Sequence, residues 1–505
     1  MLLSELLRGI DCKTAHIPDI EIENITAKTE LINNNTLFIL YKGLKCDTDT
    51  RLNDIIDKKP AAIISDRAIK GNFKIPTILV DNARIAYSVA MYNFCKIDAE
   101  KLKFYAISGS NGKTTTATML YTIFRKADIK CGFIGTGKIL INDRTVTNEY
   151  YSMTTPDPEL LYPIIKSMEN EGCEKIVMEV SSHSLALFKV YPLNFECAIF
   201  TNLSPEHLDF HNTIDDYYAA KASLFKQSKT GIFNMDDYYS KRCFIESSDI
   251  NKYSVGIEND ADIMAKEINL SHLDGSDYIY REQNILFKVR LNIGGIYNVS
   301  NSLLAVKCAL LSGVSIGSVK DALEEIKSID GRLEKICDSP LVIIDYAHTD
   351  KALETVLKFI KENKKVGQRL ISLFGCGGER DKEKRPRMAK ISEIYADFTY
   401  ITSDNSRKES TKAILSEIEK GFTKKSNYSL IENRADAIKE AILNSSPNDI
   451  ILIIGKGHER YNIDSSGYHS FDERKIIKKA IEEKNSNNEN KNRNTVNTFF
   501  NKQNT

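Results

Sequence analysis

The sequence predicts an α/β protein of three domains, on two observations: its length, and the alternation of short apolar runs with helix-length segments. At 505 residues the chain is too long for one core, and ordinary domain sizes point to about three. The apolar runs fall into blocks. Residues 1–98 hold TLFILY (36–41), AAIIS (61–65) and TILV (77–80). Residues 99–332 hold a run at 103–107, KIVMEV (175–180), CAIF (197–200) and GIFN (231–234). Residues 333–484 repeat the design with LVII (341–344), LISLF (370–374), FTYIT (398–402) and IILII (450–454). Short buried strands separated by helical patterns form parallel sheets. Residues 485–505, rich in Asn and Lys, bury little and are expected to be a disordered tail, in which Phe499 and Phe500 specify little.

Composition excludes several classes. The 42% hydrophobic and 27% charged fractions are those of an ordinary soluble chain. Lys plus Arg and Asp plus Glu both count 69, so no global field favours nucleic acid or an anionic membrane, and an anionic substrate needs local groups. The ten cysteines are scattered without a Cys-x-x-Cys pair, which reads as free thiols in a reducing cytoplasm. The N-terminus interleaves Glu5, Arg8 and Asp11 with apolar residues, a short amphipathic helix rather than a leader. No run reaches the roughly 18 apolar residues of a membrane span.

The expected strands end in polar clusters: Ser-Gly-Ser-Asn-Gly-Lys-Thr-Thr after Ile107, Ser-Ser-His after Val180, Thr-Asn-Leu-Ser after Phe200 and Asp-Tyr-Ala-His after Ile344. Others follow Phe374, Thr402 and Ile454. Ligands of open α/β sheets bind outside the carboxyl ends of strands, so two such rims predict a site between two domains.

The first cluster is the most specific. Gly109, Ser110, Asn111, Gly112, Lys113, Thr114 and Thr115 lie between a strand and the helix-forming run 116–125. Glycines let backbone N–H groups turn toward phosphate oxygens, and the helix N-terminus adds partial positive charge. Lys113 is expected on the β- and γ-phosphates of ATP and Thr114 on magnesium, although Ile107 stands where a full P-loop has its first glycine. Thr114, Glu179 and His207 are the candidate metal ligands. Magnesium prefers oxygen, so His207 reads equally well as a hydrogen-bonding loop residue. In the helical run 213–225, Tyr217, Lys221, Leu224 and Phe225 share one apolar stripe. On pattern alone, Lys221 is expected to snorkel to water.

Taken together, Gly109–Thr115, Glu179-Val180-Ser181-Ser182-His183, the Thr201–Asp209 segment (TNLSPEHLD) and Asp345-Tyr346-Ala347-His348 occur in the order found in the Mur ligases, which this sequence resembles. Gly331-Arg332, the segment from Phe374 to Asp381, Asp404-Asn405-Ser406-Arg407 and Gly455-Lys456-Gly457-His458-Glu459 bring it closest to members that add the third residue of the stem peptide. The resemblance implies a nucleotide-sugar domain, a central P-loop ATPase on a parallel sheet, and a Rossmann-like C-terminal domain that closes over the site. It implies an enzyme that phosphorylates the D-Glu carboxylate of a UDP-linked muramoyl dipeptide and then couples a diamino acid; a monomer is expected. It reverses the pattern reading of Lys221, making it a carbamylated ligand for magnesium beside Thr114, Glu179 and His207. By the same resemblance Asn298 and Asn301 contact nucleotide, and Arg332 and Asp345 reach ATP when the domains close. Thr29, Thr154, Thr155, Ser181 and Lys189 match positions for the dipeptide substrate. Arg380, Asp404, Asn405, Ser406, Arg407, Gly455 and Glu459 match those for the incoming amino acid.

Arg407 suits a carboxylate and Glu459 an ammonium, which favours meso-diaminopimelate over L-lysine. Arg380 and Arg407 as plain domain–domain ion pairs are the structural alternative. The family pattern departs at Lys28-Thr29-Glu30, Asn35-Thr36, Asp47-Thr48, Leu187 and Lys189. Those departures leave open a nucleotide-binding paralogue without turnover, or the same ligase chemistry on another carboxylate.

Overall fold

A computed structural model describes residues 1–43, 51–69, 74–147, 151–207, 210–271, 273 and 275–487. The polypeptide is α/β, with three large sheets taken in turn along the chain. The first has four parallel strands in sequence order, Asn24–Thr26, Thr36–Leu40, Ala62–Ser65 and Thr77–Leu79. All five residues of Thr36–Leu40 are buried, which is why that segment lacks the alternation of a half-exposed strand.

The central sheet has eleven strands. Lys103–Ser108 lies in its middle, parallel to Phe195–Phe200 on one side and Lys175–Glu179 on the other. Strands Ile263–Ser271, Gly275–Glu282 and Ile285–Leu291 extend one edge as an antiparallel meander. Exposed and buried residues intermix along the last of these, so no continuous apolar run marks it in the sequence. Helices Lys113–Lys126 and Ile296–Leu311 bury Leu120, Phe124, Leu303 and Val306 in one core against this sheet.

The third sheet has the order Glu334–Asp338, Leu341–Asp345, Ile450–Ile454, Leu370–Phe374, Phe398–Ile401, Tyr428–Leu430. Only its first strand is antiparallel to its neighbour. Ile450–Ile454 is inserted between two strands that are consecutive in the chain, which opens a crevice at their carboxyl ends. Residues 473–487 are helical, and the remainder of the expected tail, like Asp47-Thr48, lies outside the described residues. Among the described residues no helix is long and apolar enough to cross a membrane.

Candidate active site

Gly109 and Gly112 set the shape of the loop after the Lys103–Ser108 strand. Both have positive φ, +146° and +85°, a region that glycine enters without steric cost. A Cβ on Gly109 would lie 1.9 Å from Thr201 Oγ1, and one on Gly112 would lie 2.3 Å from Asn301 Oδ1. The loop is held from outside. Asn111 N donates to Asn202 Oδ1 (3.0 Å), and Thr201 Oγ1 donates to the Asn111 carbonyl (2.6 Å). Ser110 Oγ meets Tyr217 OH at 3.0 Å. Gly112 caps the helix that starts at Lys113, so the loop presents N–H groups and a helix N-terminus to one cleft, an anion-binding arrangement. Lys113 Nζ folds back to donate to the carbonyls of Gly109 (2.9 Å) and Ser110 (2.8 Å).

Glu179, at the end of its strand and fully buried, accepts from Thr114 Oγ1 (3.1 Å), Thr136 N (3.0 Å) and Thr136 Oγ1 (3.0 Å). A buried carboxylate persists only with such partners. His207 (φ +58°) lies 3.6 Å from Glu206 and edge-on to His183. Burial holds its imidazole neutral, down at about 3, against the pull of Glu206.

Lys221 corrects the pattern-based expectation. Instead of snorkelling it is 1% exposed, and its Nζ donates to the Gly109 carbonyl at 2.8 Å and lies 4.7 Å from the Tyr217 ring centre. Burial, reinforced by Lys113, lowers its pKa well below that of an ordinary lysine. The apolar stripe is real, but Lys221 is packed beneath the loop, on the Gly109 carbonyl, and not toward solvent.

Asn301 accepts from Thr116 Oγ1 at 3.3 Å and so abuts the loop. Asn298 donates to Gly294 O (2.7 Å). Thr154 Oγ1 meets Thr136 Oγ1 at 3.0 Å. Thr155 donates to the Glu179 carbonyl (2.9 Å) and accepts from Ser181 N (3.2 Å), while Ser181 caps the short helix Ser182–Ala186. Lys189 pairs with Asp157 at 2.7 Å. Thr29 begins a single turn whose carbonyl takes Lys58 (2.7 Å), and it lines neither the main cleft nor a second cavity of about 420 Å³ beside Lys28 and Glu159.

From the third sheet, Arg332 reaches across to donate to Thr114 Oγ1 at 3.4 Å, its guanidinium 4.7 Å from the Tyr346 ring centre. Asp345, buried, braces that segment by accepting from Leu333 N and Ala347 N, both at 2.8 Å. Burial raises its pKa. His348 Nε2 meets Glu206 Oε1 at 3.1 Å.

At the crevice, Asp404 is held ionised at about 2: burial opposes this, and Lys456, Arg434 and the Asn405 N–H outweigh it. Asn405 Nδ2 donates to Glu459 Oε2 (2.8 Å), while burial and Asp404 raise the pKa of Glu459. Arg407 (φ +53°) donates to the carbonyls of Gly378 (2.8 Å) and Asn405 (3.3 Å), and among the described residues it forms no domain–domain ion pair. The buried Ser406 carbonyl lies 1.9 Å from where a Gly378 Cβ would stand. Gly455 (φ +117°) gives Asp404 similar room.

One cleft of about 510 Å³ joins these groups. Ser110 to Thr114, Thr154, Glu179 and His207 line one side, and Arg332, Arg380, Asp404, Asn405, Arg407, Gly455 and Glu459 the other. Gly109, Thr115, Thr155, Ser181, Lys189, Asn298, Asn301, Lys221, Asp345 and Ser406 stand behind this lining or away from it. Among the lining or supporting residues to which the motif reading gave no role are Thr136, Glu206, His348 and Lys456. The last three stood inside the quoted motifs, whereas Thr136 carried no sequence signal.

The comparisons agree with this architecture. Residues 107–309 match the Mur ligase middle domain, and residues 331–457 match the Mur ligase, glutamate ligase domain. A UDP-N-acetylmuramoyl-L-alanyl-D-glutamate--2,6-diaminopimelate ligase of Caldanaerobacter subterraneus subsp. tengcongensis is 38% identical over 96% of this chain and 99% of its own. A Clostridium acetobutylicum ligase of the same description, numbered 1, is 38% identical over 92% and 96%. A solved structure of a 2,6-diaminopimelate ligase with that name superposes with a TM-score of 0.66 at 25% identity, covering 96% of this chain and 99% of that one. With both domain models matched in order and the likeness running nearly end to end, the chain belongs to the Mur ligase family.

Proposed function

We propose that this protein is the ATP-dependent ligase that adds meso-diaminopimelate to UDP-N-acetylmuramoyl-L-alanyl-D-glutamate during peptidoglycan precursor synthesis. The observation that carries the reading is the single cleft in which a phosphate-binding loop faces a pocket lined by Arg407, Asp404 and Glu459. Relatives sharing 38% of residues over nearly the whole chain bear that ligase name.

A carboxylate resists attack by an amine because oxide is its leaving group. Transfer of the γ-phosphoryl group of ATP to the D-Glu side-chain carboxylate makes an acyl phosphate and ADP. The amine then attacks the acyl carbon, phosphate departs, and an amide remains. Such transfer depends on positioning and charge neutralisation. Lys113 swings from its own loop carbonyls to the β- and γ-phosphates, and Arg332 meets the γ-phosphate from the opposite wall. Asn301 and Asn298 support the nucleotide side. Thr154 meets the dipeptide from the cleft lining, Thr155, Ser181 and Lys189 support that side from behind, and Thr29 stands apart from both cavities on the nucleotide-sugar side.

Two of the donors already converge as a magnesium site requires: the hydroxyl of Thr114 meets the carboxylate of Glu179, and hard cations take oxygen. Thr114, Glu179, His207 and a carbamate on Lys221 would hold it, and when bound it neutralises phosphate charge. Lys221 suits the modification because its buried amine is readily neutral. The lone pair of the neutral amine attacks CO2, an N–C bond forms and one proton leaves, converting a buried neutral amine into an anionic carbamate.

Phosphate release with ATP, the UDP-linked dipeptide and meso-diaminopimelate tests the reading. Turnover only when all three are present is expected, and release independent of the dipeptide or the diamino acid rejects it.

A further inference from the structure

We propose that Lys456 is a positioning residue for substrate specificity: its buried ammonium keeps Asp404 and Glu459 usable together as a receptor for the amino acid's ammonium group. The proposal rests on the ligase reading above. Asp404 and Glu459 both line the cleft, and two carboxylates facing one pocket resist joint ionisation. Lys456 is 0% exposed, so it cannot itself touch a ligand in the cleft. Its Nζ lies 3.5 Å from Asp404 Oδ1 and 3.8 Å from Glu459 Oε2.

The ammonium also sets the direction of an amide. It donates to Asn405 Oδ1 and to the Tyr461 carbonyl, both at 2.9 Å, and Ile463 N donates to the same Asn405 oxygen at 2.9 Å. Two donors on Oδ1 leave only Nδ2 to turn toward Glu459, which it meets at 2.8 Å. Lys456 therefore acts on the pocket twice, as a counter-ion and as the lock on the amide that aims Glu459.

Other groups bear on the same carboxylates. Glu459 also feels His348, and it acts on Tyr346 and Tyr461, while Arg434 and Arg407 favour the ionised form of Asp404. Among the causes acting on Glu459, burial and Asp404 push its pKa up, and Lys456 is the first that pulls it down. Without that cation, Glu459 takes up a proton at higher pH and loses its ability to bind an ammonium.

The test uses the full chain with saturating ATP and UDP-linked dipeptide, and measures KM for meso-diaminopimelate from about pH 6 to about pH 9. Lys456→Met is expected to raise KM by ~10-fold or more near neutrality, with kcat at saturation within ~3-fold of wild type. The acidic limb of kcat/KM moves to higher pH, the KM for ATP stays unchanged, and Lys456→Arg restores part of the affinity. If Lys456→Met does not fold, Lys456→Gln, which keeps a donor for Asn405 but no charge, is expected to show the same limb displacement. An unchanged KM, or a raised KM with an unmoved limb, overturns the proposal alone. Failure of the wild-type chain to use any diamino acid overturns the ligase reading and this proposal with it.

Discussion

Arg332 and Thr114 are 218 residues apart in sequence, yet the guanidinium of one donates to the hydroxyl of the other at 3.4 Å. Thr114 belongs to the helix that follows the phosphate loop, and Arg332 precedes the first strand of the third sheet. The contact therefore spans the two halves of the cleft. Arg332→Ala is expected to lower kcat by ~100-fold or more, because a cation aimed at developing phosphate charge is lost. Nucleotide affinity, held mainly by the loop, should change far less. Single-turnover phosphate transfer checks this, and a near-wild-type rate rejects the assignment.

Lys113→Ala is expected to abolish ligation, with a loss of at least ~100-fold in kcat, since it removes the cation that folds over the loop. Wild-type-like phosphate release at substrate saturation would contradict its placement on the phosphates.

Lys221 is expected to carry one added CO2 in mass spectra of the native protein. Lys221→Ala should lose activity, and short carboxylic acids should restore part of it by occupying the vacated volume with an oxygen ligand. A bare lysine in a fully active preparation refutes the modification.

Preference for meso-diaminopimelate over L-lysine follows from Arg407, whose Nη1 already touches two backbone carbonyls at the pocket wall. L-lysine lacks the distal carboxylate and leaves that charge without its partner, which a closed site penalises strongly. Steady-state competition should favour meso-diaminopimelate by ~100-fold or more. Arg407→Ala should remove most of that preference. Selection of lysine by the wild-type chain would sink the argument.

Stability can be probed behind the cleft wall at Arg434 and Glu473, whose side chains are each 1% exposed and joined at 2.6 Å. Arg434 also donates to the Ile454 carbonyl at 2.8 Å, at the end of the strand that leads into Gly455. Arg434→Met leaves a buried carboxylate without its cation and should cost about 3–5 kcal/mol. The midpoint of urea unfolding measures it, and a change below about 1 kcal/mol would show that Glu473 finds another partner or protonates.

Much of the fold could be read before any coordinates, because buried parallel strands write themselves as apolar runs. The segments at 36–41, 370–374 and 450–454 coincide with strands to within one residue. The antiparallel meander at Ile263–Leu291 was not legible, since its alternation is diluted by charged residues on an exposed face. The phosphate loop was legible for a chemical reason: backbone anion binding demands glycines and a lysine at close spacing. The residues proposed for the diamino acid were legible only through resemblance, because single side chains at distant strand ends leave no periodic trace.

Lys221 marks the boundary between the two kinds of information. Its amphipathic helix and apolar stripe follow from local sequence, which determines periodicity, the turn that cradles an anion and the polar ends of strands. Whether that lysine reaches water was settled elsewhere, by a loop more than a hundred residues earlier whose Gly109 carbonyl accepts its hydrogen bond. The same holds for Lys456, whose meaning comes from Asp404, Asn405 and Glu459 converging on it. Desolvation and pairing are properties of a three-dimensional neighbourhood, so the sequence determines which groups are available and the tertiary structure decides their charge, direction and partners.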